Sequence, residues 1–182
     1  MNDAHSKSSL WSSTEAARVT NGIAKGHWVA HGISIDTRSL QKGDLFIAIR
    51  GDAMDGHKFA ADALAKGAAA VVIDHAIEGV PAEKALMVAD TFKAMQDLGV
   101  GARARTAAKI IGVTGSVGKT GTKEMLGRVF SALGQTHYSE KSLNNHWGVP
   151  LSLSRMDAGC DFGVFEMGMN HANEIAPLTQ MV

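Results

Sequence analysis

A single cysteine, Cys160, stands in 182 residues, which excludes an internal disulfide framework and fits a reducing compartment. Placed just before an apolar run, its thiol is expected to be buried or half-buried. Excess charge is lacking too. Lys plus Arg and Asp plus Glu number 18 each, so no global field draws the chain to nucleic acid or an anionic membrane. A polyanionic ligand must be held locally. Apolar stretches such as Ala68–Ile73 are far too short to span a bilayer. Nor does the segment from Met1 to Ser13 have the basic head and apolar core of a secretory signal. The expectation is a soluble cytoplasmic protein with no membrane insertion and no obligate protein partner. What is present is an ordinary globular mixture, 45% hydrophobic and 20% charged, enough for a packed core in one domain or two small ones.

Alternation of strand and helix patterns predicts an α/β fold with parallel sheets. Ser12 or Ser13 can cap a first helix that Asn21-Gly22 ends. Strands are expected at Trp28–Ile35, Asp44–Ile49, Ala69–Ile73 and Ala85–Val88, with helices at His57–Lys66 and Asp90–Arg105. A second unit starts near Ala108. Its apolar strand Ile110–Thr114 reads as buried on both faces. A helix follows over Lys119–Leu133, with Met125, Leu126, Val129, Phe130 and Leu133 turned inward. Strands at Thr136–Ser139 and Phe162–Met167, and helices at Pro150–Met156 and from Asn173 onward, complete it. The domain boundaries are therefore set at 1–107 and 108–182. Three parallel strands leave an open-edged sheet, so the expectation is the N-terminal portion of a longer protein.

Thr114-Gly115-Ser116-Val117-Gly118-Lys119-Thr120 lies between that strand and that helix. Gly115 and Gly118 can adopt backbone angles closed to other residues and bring N–H groups close to phosphate oxygens. The helix beginning at Lys119 adds its positive dipole end. Lys119 suits the β- and γ-phosphates and Thr120 suits Mg²⁺. The general pattern asks for glycine where Val113 stands, so the strict motif fails. A dinucleotide fingerprint fits less well, because the glycines fall at 112, 115 and 118. ATP is the expected ligand.

Glu166 ends the apolar strand Phe162–Glu166, at the sheet edge where ligands bind. It can hold Mg²⁺ together with Thr120; a strand-end acid paired with a surface lysine is the other reading. Asn144-Asn145-His146 and Asn170-His171 occupy loops on the same edge, where substrate contacts and simple turn chemistry are both open. His31 and His137 read as ordinary. In the first unit, Arg38 and the turn at Asp55-Gly56-His57 can hold an anion such as a diphosphate, against the alternative of plain Asp/Gly-rich turns.

Taken together these segments resemble the Mur ligases of peptidoglycan synthesis, whose loop is the shortened Thr-Gly-x-x-Gly-Lys-Thr/Ser. The resemblance rests on Ser34-Ile-Asp36-Thr37-Arg38-Ser39, Lys42–Ala48, Gly51–Phe59, Ala63–Ala68, Asn144-Asn145-x-x-Gly148-Val-Pro150 and Glu166–Ile175, running from about Leu10 to Val182. The last two segments look most like the branch that adds D-alanyl-D-alanine to UDP-MurNAc-tripeptide. The resemblance implies a small N-terminal α/β UDP-sugar-binding domain followed by a truncated P-loop-type parallel-sheet ATPase domain. It implies an ATP- and Mg²⁺-dependent amide ligase working through an acyl phosphate. Lys119, Glu166 and His171 would be catalytic, and Thr114–Thr120 with Asn145 would bind ATP. Ser34, Asp36, Thr37, Arg38, Asp55, Gly56 and His57 would hold the UDP substrate, and Thr120 and Glu166 the metal. Because family members are much longer, residues 1–182 alone are expected not to ligate. A non-catalytic UDP-sugar or nucleotide module, the tripeptide-forming ligase and folylpolyglutamate synthase are the alternatives.

Overall fold

The computed structural model describes residues 9–51, 54–139, 143–169 and 171–182. The start of the chain and Asn170 lie outside these, although Leu10 is already buried and its N–H donates to the Ala30 carbonyl at 2.9 Å. Two compact units form, Met1–Ala94 and Met95–Val182. The division falls inside a helix, ahead of the 107/108 boundary expected from sequence.

Unit 1 begins with β1 (Trp11–Ser12) and α1 (Ser13–Thr20). The Ser12 hydroxyl accepts from the Glu15 N–H, and Asn21 closes the helix with φ near +50°. Then come β2 (Ile23–Ala24), β3 (Val29–Ala30), β4 (Gly32–Ser34) and β5 (Asp44–Ile47). The single strand expected over Trp28–Ile35 is thus two. β3 pairs antiparallel with β1, whereas β4 pairs parallel with β5. Alternating hydrophobicity marks extended chain but not a change of partner. The next helix also divides, into a 3-10 turn at Gly56–Phe59 and α2 (Ala60–Ala65). Asp55 caps the turn through the His57 N–H at 3.0 Å. β6 (Ala70–Ile73) and β7 (Ala85–Met87) complete its strands, and α3 (Thr91–Ala104) starts here and belongs to unit 2 from Met95 onward. The sheet runs β2-β7-β6-β5-β4, parallel except for β2. All four residues of β5 and of β6 are buried, as the continuous apolar runs require. Phe46, Val71 and Ile73 pack there with Ala60 and Ala63 of α2.

Unit 2 contains β8 (Lys109–Val113), α4 (Lys119–Ser131), β9 (Thr136–Tyr138), α5 (Gly148–Ser154), β10 (Phe162–Glu166) and α6 (Ile175–Met181). The three strands are parallel in the order β8-β10-β9. β10 is therefore central and buried from Gly163 to Glu166. β8 is an edge strand among the described residues, with Lys109 and Gly112 exposed; apolar composition alone could not distinguish edge from centre. Val149, Leu153, Met156 and Phe165 form the core with Leu178. Gly99, which weakens α3 as an isolated helix, permits its approach to α5: a Cβ there would lie 3.0 Å from the Pro150 carbonyl. Cys160 is buried, and burial raises its thiol pKa.

The phase of α4 differs from expectation. Met125, Val129 and Leu133 are exposed, while Lys123 and Gly127 are buried and Leu126 and Phe130 are half-buried. Helical geometry places residues 120, 123, 127 and 130 on one face. That face begins with Thr120, which bonds Glu166 on β10. Gly127 then fits beneath Tyr138 of β9, and Phe130 stacks on Phe162 at 4.7 Å. The loop that starts the helix sets its rotation, overriding its apolar content.

Candidate functional site

In unit 2, the chain leaves β8 at Val113, which lies in register with Glu166 of the adjacent β10. The loop therefore starts beside the buried carboxylate. Gly115 has φ near +148° and Gly118 near +78°, backbone conformations that side chains disfavour. Among the described residues nothing stands within 4 Å of where a Cβ on Gly118 would lie, so its backbone angle, not crowding, calls for glycine. Gly118 is also the N-cap of α4 and supplies no side-chain acceptor to the helix N–H groups. The Lys119 ammonium donates to the Gly115 carbonyl at 2.7 Å, curling over the loop. Val117 forms an exposed tip.

Behind this loop sits a network around Glu166, whose side chain is buried. Thr120 donates its hydroxyl to Oε2 at 2.9 Å, and Asn144 donates its amide to Oε1 at 2.8 Å. The Glu166 N–H points to the Ser139 hydroxyl at 3.3 Å, and the Ser139 carbonyl accepts from the buried Lys123 ammonium at 2.6 Å. Lys123 also pairs with Glu124 at 2.9 Å. The C-terminal ends of all three strands thus meet one helix N-terminus. A carboxylate and a hydroxyl side by side form a hard-oxygen donor set suited to Mg²⁺, so these residues fit that ion.

Of the residues predicted for ATP and its metal, Thr114 to Thr120 and Glu166 come together. Asn145 makes a local turn as well: its Oδ1 accepts from the Trp147 and Gly148 N–H groups at 3.1 and 2.8 Å at the start of α5. His171 is exposed, and its N–H donates to Glu174 at 3.2 Å. Asn144, Ser139 and Lys123 join the network without having been singled out as site residues. Asn144 belongs to a loop already noted at this edge, and Lys123 lies one helical turn after Lys119 on the same face; nothing local marked Ser139.

In unit 1, the loops after β4 and β5 leave adjacent parallel strands at the same edge. Ser34 accepts the Asp36 N–H at 3.2 Å and donates to its carbonyl. Asp36 grips Arg38 in a fork, with contacts of 2.6 and 3.0 Å. That hydrogen bonding holds the Asp36 carboxyl down at about 2. Lys66 donates to the Thr37 carbonyl at 3.3 Å. Arg38 is turned to solvent, whereas His57 is buried between Asp55 and Asp74. Gly56 is the tight point of that turn, its Cβ position 2.7 Å from the Ile49 carbonyl.

Residues 29–112 match the model of the Mur ligase family, catalytic domain, and residues 113–182 match that of the Mur ligase middle domain. The chain belongs to the Mur ligase family. Among its relatives, the UDP-N-acetylmuramoyl-tripeptide--D-alanyl-D-alanine ligase of Synechocystis is 45% identical over 152 residues, covering 83% of this chain and 34% of that protein. The crystal structure of MurF from Acinetobacter baumannii superposes with a TM-score of 0.80 at 34% identity, over 94% of this chain and 39% of that one. MurF ligase from Thermotoga maritima, solved in complex with ADP, gives 0.67 at 27% identity, over 83% and 35%. This chain thus spans about a third of the length of the curated Mur ligases it matches. Among the described residues, no helix is long and apolar enough to cross a membrane.

Proposed function

We propose that this chain carries the UDP-substrate and phosphate-loop portions of a cytoplasmic, ATP-dependent amide ligase. The reaction joins D-alanyl-D-alanine to UDP-MurNAc-tripeptide in peptidoglycan precursor synthesis, the activity for which its Synechocystis relative is named. The observation that carries this reading is the pairing of Thr120, at the mouth of a glycine phosphate loop, with the buried Glu166 at 2.9 Å. A buried acid with no role in charge transfer would be a costly way to fasten a helix to a strand.

The terminal carboxylate of the tripeptide takes the γ-phosphoryl group of ATP, giving an acyl phosphate and ADP. The amine of D-alanyl-D-alanine then attacks the acyl carbon; a C–N bond forms, the C–O bond to phosphate breaks, and phosphate leaves. Lys119 and the N–H groups from Gly115 to Thr120 hold the phosphates and receive the charge that spreads during transfer. Thr120 and Glu166 would hold Mg²⁺, which when bound neutralises charge across the β- and γ-phosphates. Asn144 keeps Glu166 turned to the loop. His171 and Asn145 lie on loops at the same strand ends; His171 serves beside the reacting groups, and Asn145, its Oδ1 taken by the turn into α5, meets ATP through its amide NH₂. Ser34, Asp36, Thr37 and Arg38 hold the uridine nucleotide, and Asp55, Gly56 and His57 fix the turn at the same strand edge. On this reading residues 1–107 form the UDP-binding domain, and 108–182 the first part of the ATP-binding domain.

The deciding experiment offers the intact ligase ATP with UDP-MurNAc-tripeptide and D-alanyl-D-alanine, or with the acceptor one residue shorter and single amino acids. Phosphate release should depend on the dipeptide. Dependence on a single amino acid would instead select the tripeptide-forming ligase, and release independent of both would remove the ligase assignment. Residues 1–182 alone should engage Mg·ATP at the loop without ligating.

A further inference from the structure

Unit 1 contains a cluster of titratable side chains that the ligase reading does not use as a group. His57 follows β5, and Asp74 and His75 follow β6, the neighbouring parallel strand, so their side chains gather at one sheet edge. His57 is only 4% exposed. Asp55 Oδ1 lies 2.6 Å from its Nδ1 and also accepts the His57 backbone N–H at 3.0 Å. With Nδ1 so engaged, Nε2 is the ring atom available to a ligand. Nε2 faces Asp74 Oδ1 at 3.1 Å, and His75 Nδ1 contacts the same oxygen. The two imidazole rings stack with centroids 4.7 Å apart.

Three ligand atoms, from two imidazoles and one carboxylate, therefore stand together at this edge. Arg50 leaves that point free, since it reaches the outer oxygens, Oδ2 of Asp55 at 3.3 Å and Oδ2 of Asp74 at 3.5 Å. The Asp74 N–H donates to Nε2 at 3.3 Å, a long bond that an ion can replace. We propose that His57, Asp74 and His75 form a binding site for a transition-metal dication of the zinc class. Their ligand atoms lie within 4.8 Å of one another. Around a tetrahedral ion with bonds of about 2.0–2.1 Å, neighbouring ligand atoms sit roughly 3.3 Å apart. The His57–Asp74 separation already matches this, and His75, with 54% of its side chain exposed, has room to swing outward and admit the ion. Asp55 plays the part of the carboxylate that orients a metal-ligating histidine from behind. Two imidazole nitrogens and one carboxylate oxygen favour Zn²⁺, Co²⁺ or Ni²⁺ over Mg²⁺, and the exposed side leaves the fourth position to water.

The test is a titration of the chain with zinc chloride in excess Mg²⁺, which occupies hard-oxygen sites. One saturable equivalent of zinc should bind and raise the melting temperature, and Co²⁺ in its place should give the strong visible absorption of a four-coordinate ion. His75→Ala, a change at an exposed side chain that leaves the fold intact, and Asp74→Asn should each abolish both signals. Asp55→Asn should weaken zinc about 10- to 100-fold. No saturable zinc site in the unaltered chain would overturn the proposal. So would a zinc site that persists undiminished in His75→Ala and Asp74→Asn, since it must then lie elsewhere.

Discussion

Replacing Glu166 by glutamine separates a functional acid from a structural one. The side chain is 1% exposed and accepts two hydrogen bonds, from Thr120 and Asn144. A glutamine can keep both: its carbonyl accepts from Asn144, and its NH₂ donates to the Thr120 hydroxyl, which can also accept. What changes is the charge. Two bonds to an ionised acceptor, at roughly 1.5–3 kcal/mol each, become two neutral ones at roughly 0.5–1.5, a loss of about 2–3 kcal/mol. Against that stands the desolvation of a buried ion, several kcal/mol even after relaxation.

The desolvation term is the larger, so Glu166→Gln should leave the nucleotide-free chain about 1–2 kcal/mol more stable. For a chain of this size that is a rise of roughly 2–8 °C in melting temperature. The same change should remove the contribution of Mg²⁺ to nucleotide binding. The assay is a pair of titrations followed by the amide resonances of Gly115 to Thr120, with ADP alone and with Mg·ADP, beside a thermal melt. In the unaltered chain Mg²⁺ should tighten binding; in the variant the two titrations should coincide. A variant that melts several degrees lower would show that the carboxylate is a structural staple. Unchanged tightening by Mg²⁺ would take Glu166 out of the metal site. Either result refutes the reasoning.

Lys119→Ala should weaken phosphate binding about 10- to 100-fold, the worth of a charge-assisted bond, and slow the intact ligase on the order of 10²–10³-fold; isotherms and phosphate release check the two numbers. Gly127→Ala places a methyl group 2.7 Å from the Tyr138 ring. Overpacking of about 1–3 kcal/mol should exceed the roughly 1 kcal/mol gained in helix propensity, so urea unfolding should show a net loss, and a stabilised variant would contradict the α4 packing. Asp55 is held at about 2, below its ordinary 3.8, chiefly by the His57 backbone N–H and then by the His57 side chain. A lowered folded-state value stabilises above 3.8, and the contribution is lost as pH falls from there toward about 2. The shift corresponds to about 2 kcal/mol at most, and partial exposure reduces this to about 1. Asp55→Asn should therefore show a flatter dependence of the urea midpoint on pH across that window, and parallel curves for the two proteins would refute the assignment.

Which features the sequence disclosed follows from the range of the forces behind them. Ser12 and Asn21 mark the ends of α1 through bonds made within one turn, so both were readable from neighbouring residues. The glycine loop is equally local: φ near +78° at Gly118 and an ammonium over the loop need only residues 113 to 120. The rotation of α4 was not readable, because Met125, Val129 and Leu133 form a plausible inward stripe until Thr120 is tied to a residue 46 positions later. Asn144 and Asn145 show the same limit at its sharpest. Two identical side chains stand next to each other, and both suit a polar loop at the ligand edge. Local turn chemistry occupies Asn145, which caps a helix starting three residues on, while Asn144 reaches Glu166 across 22 positions. Which of the two meets the buried acid is decided by the insertion of β10 between β8 and β9, a topological fact that no short window of sequence contains. The site is therefore local in its phosphate grip and non-local in its acid, and the two meet only because the last strand becomes the middle one.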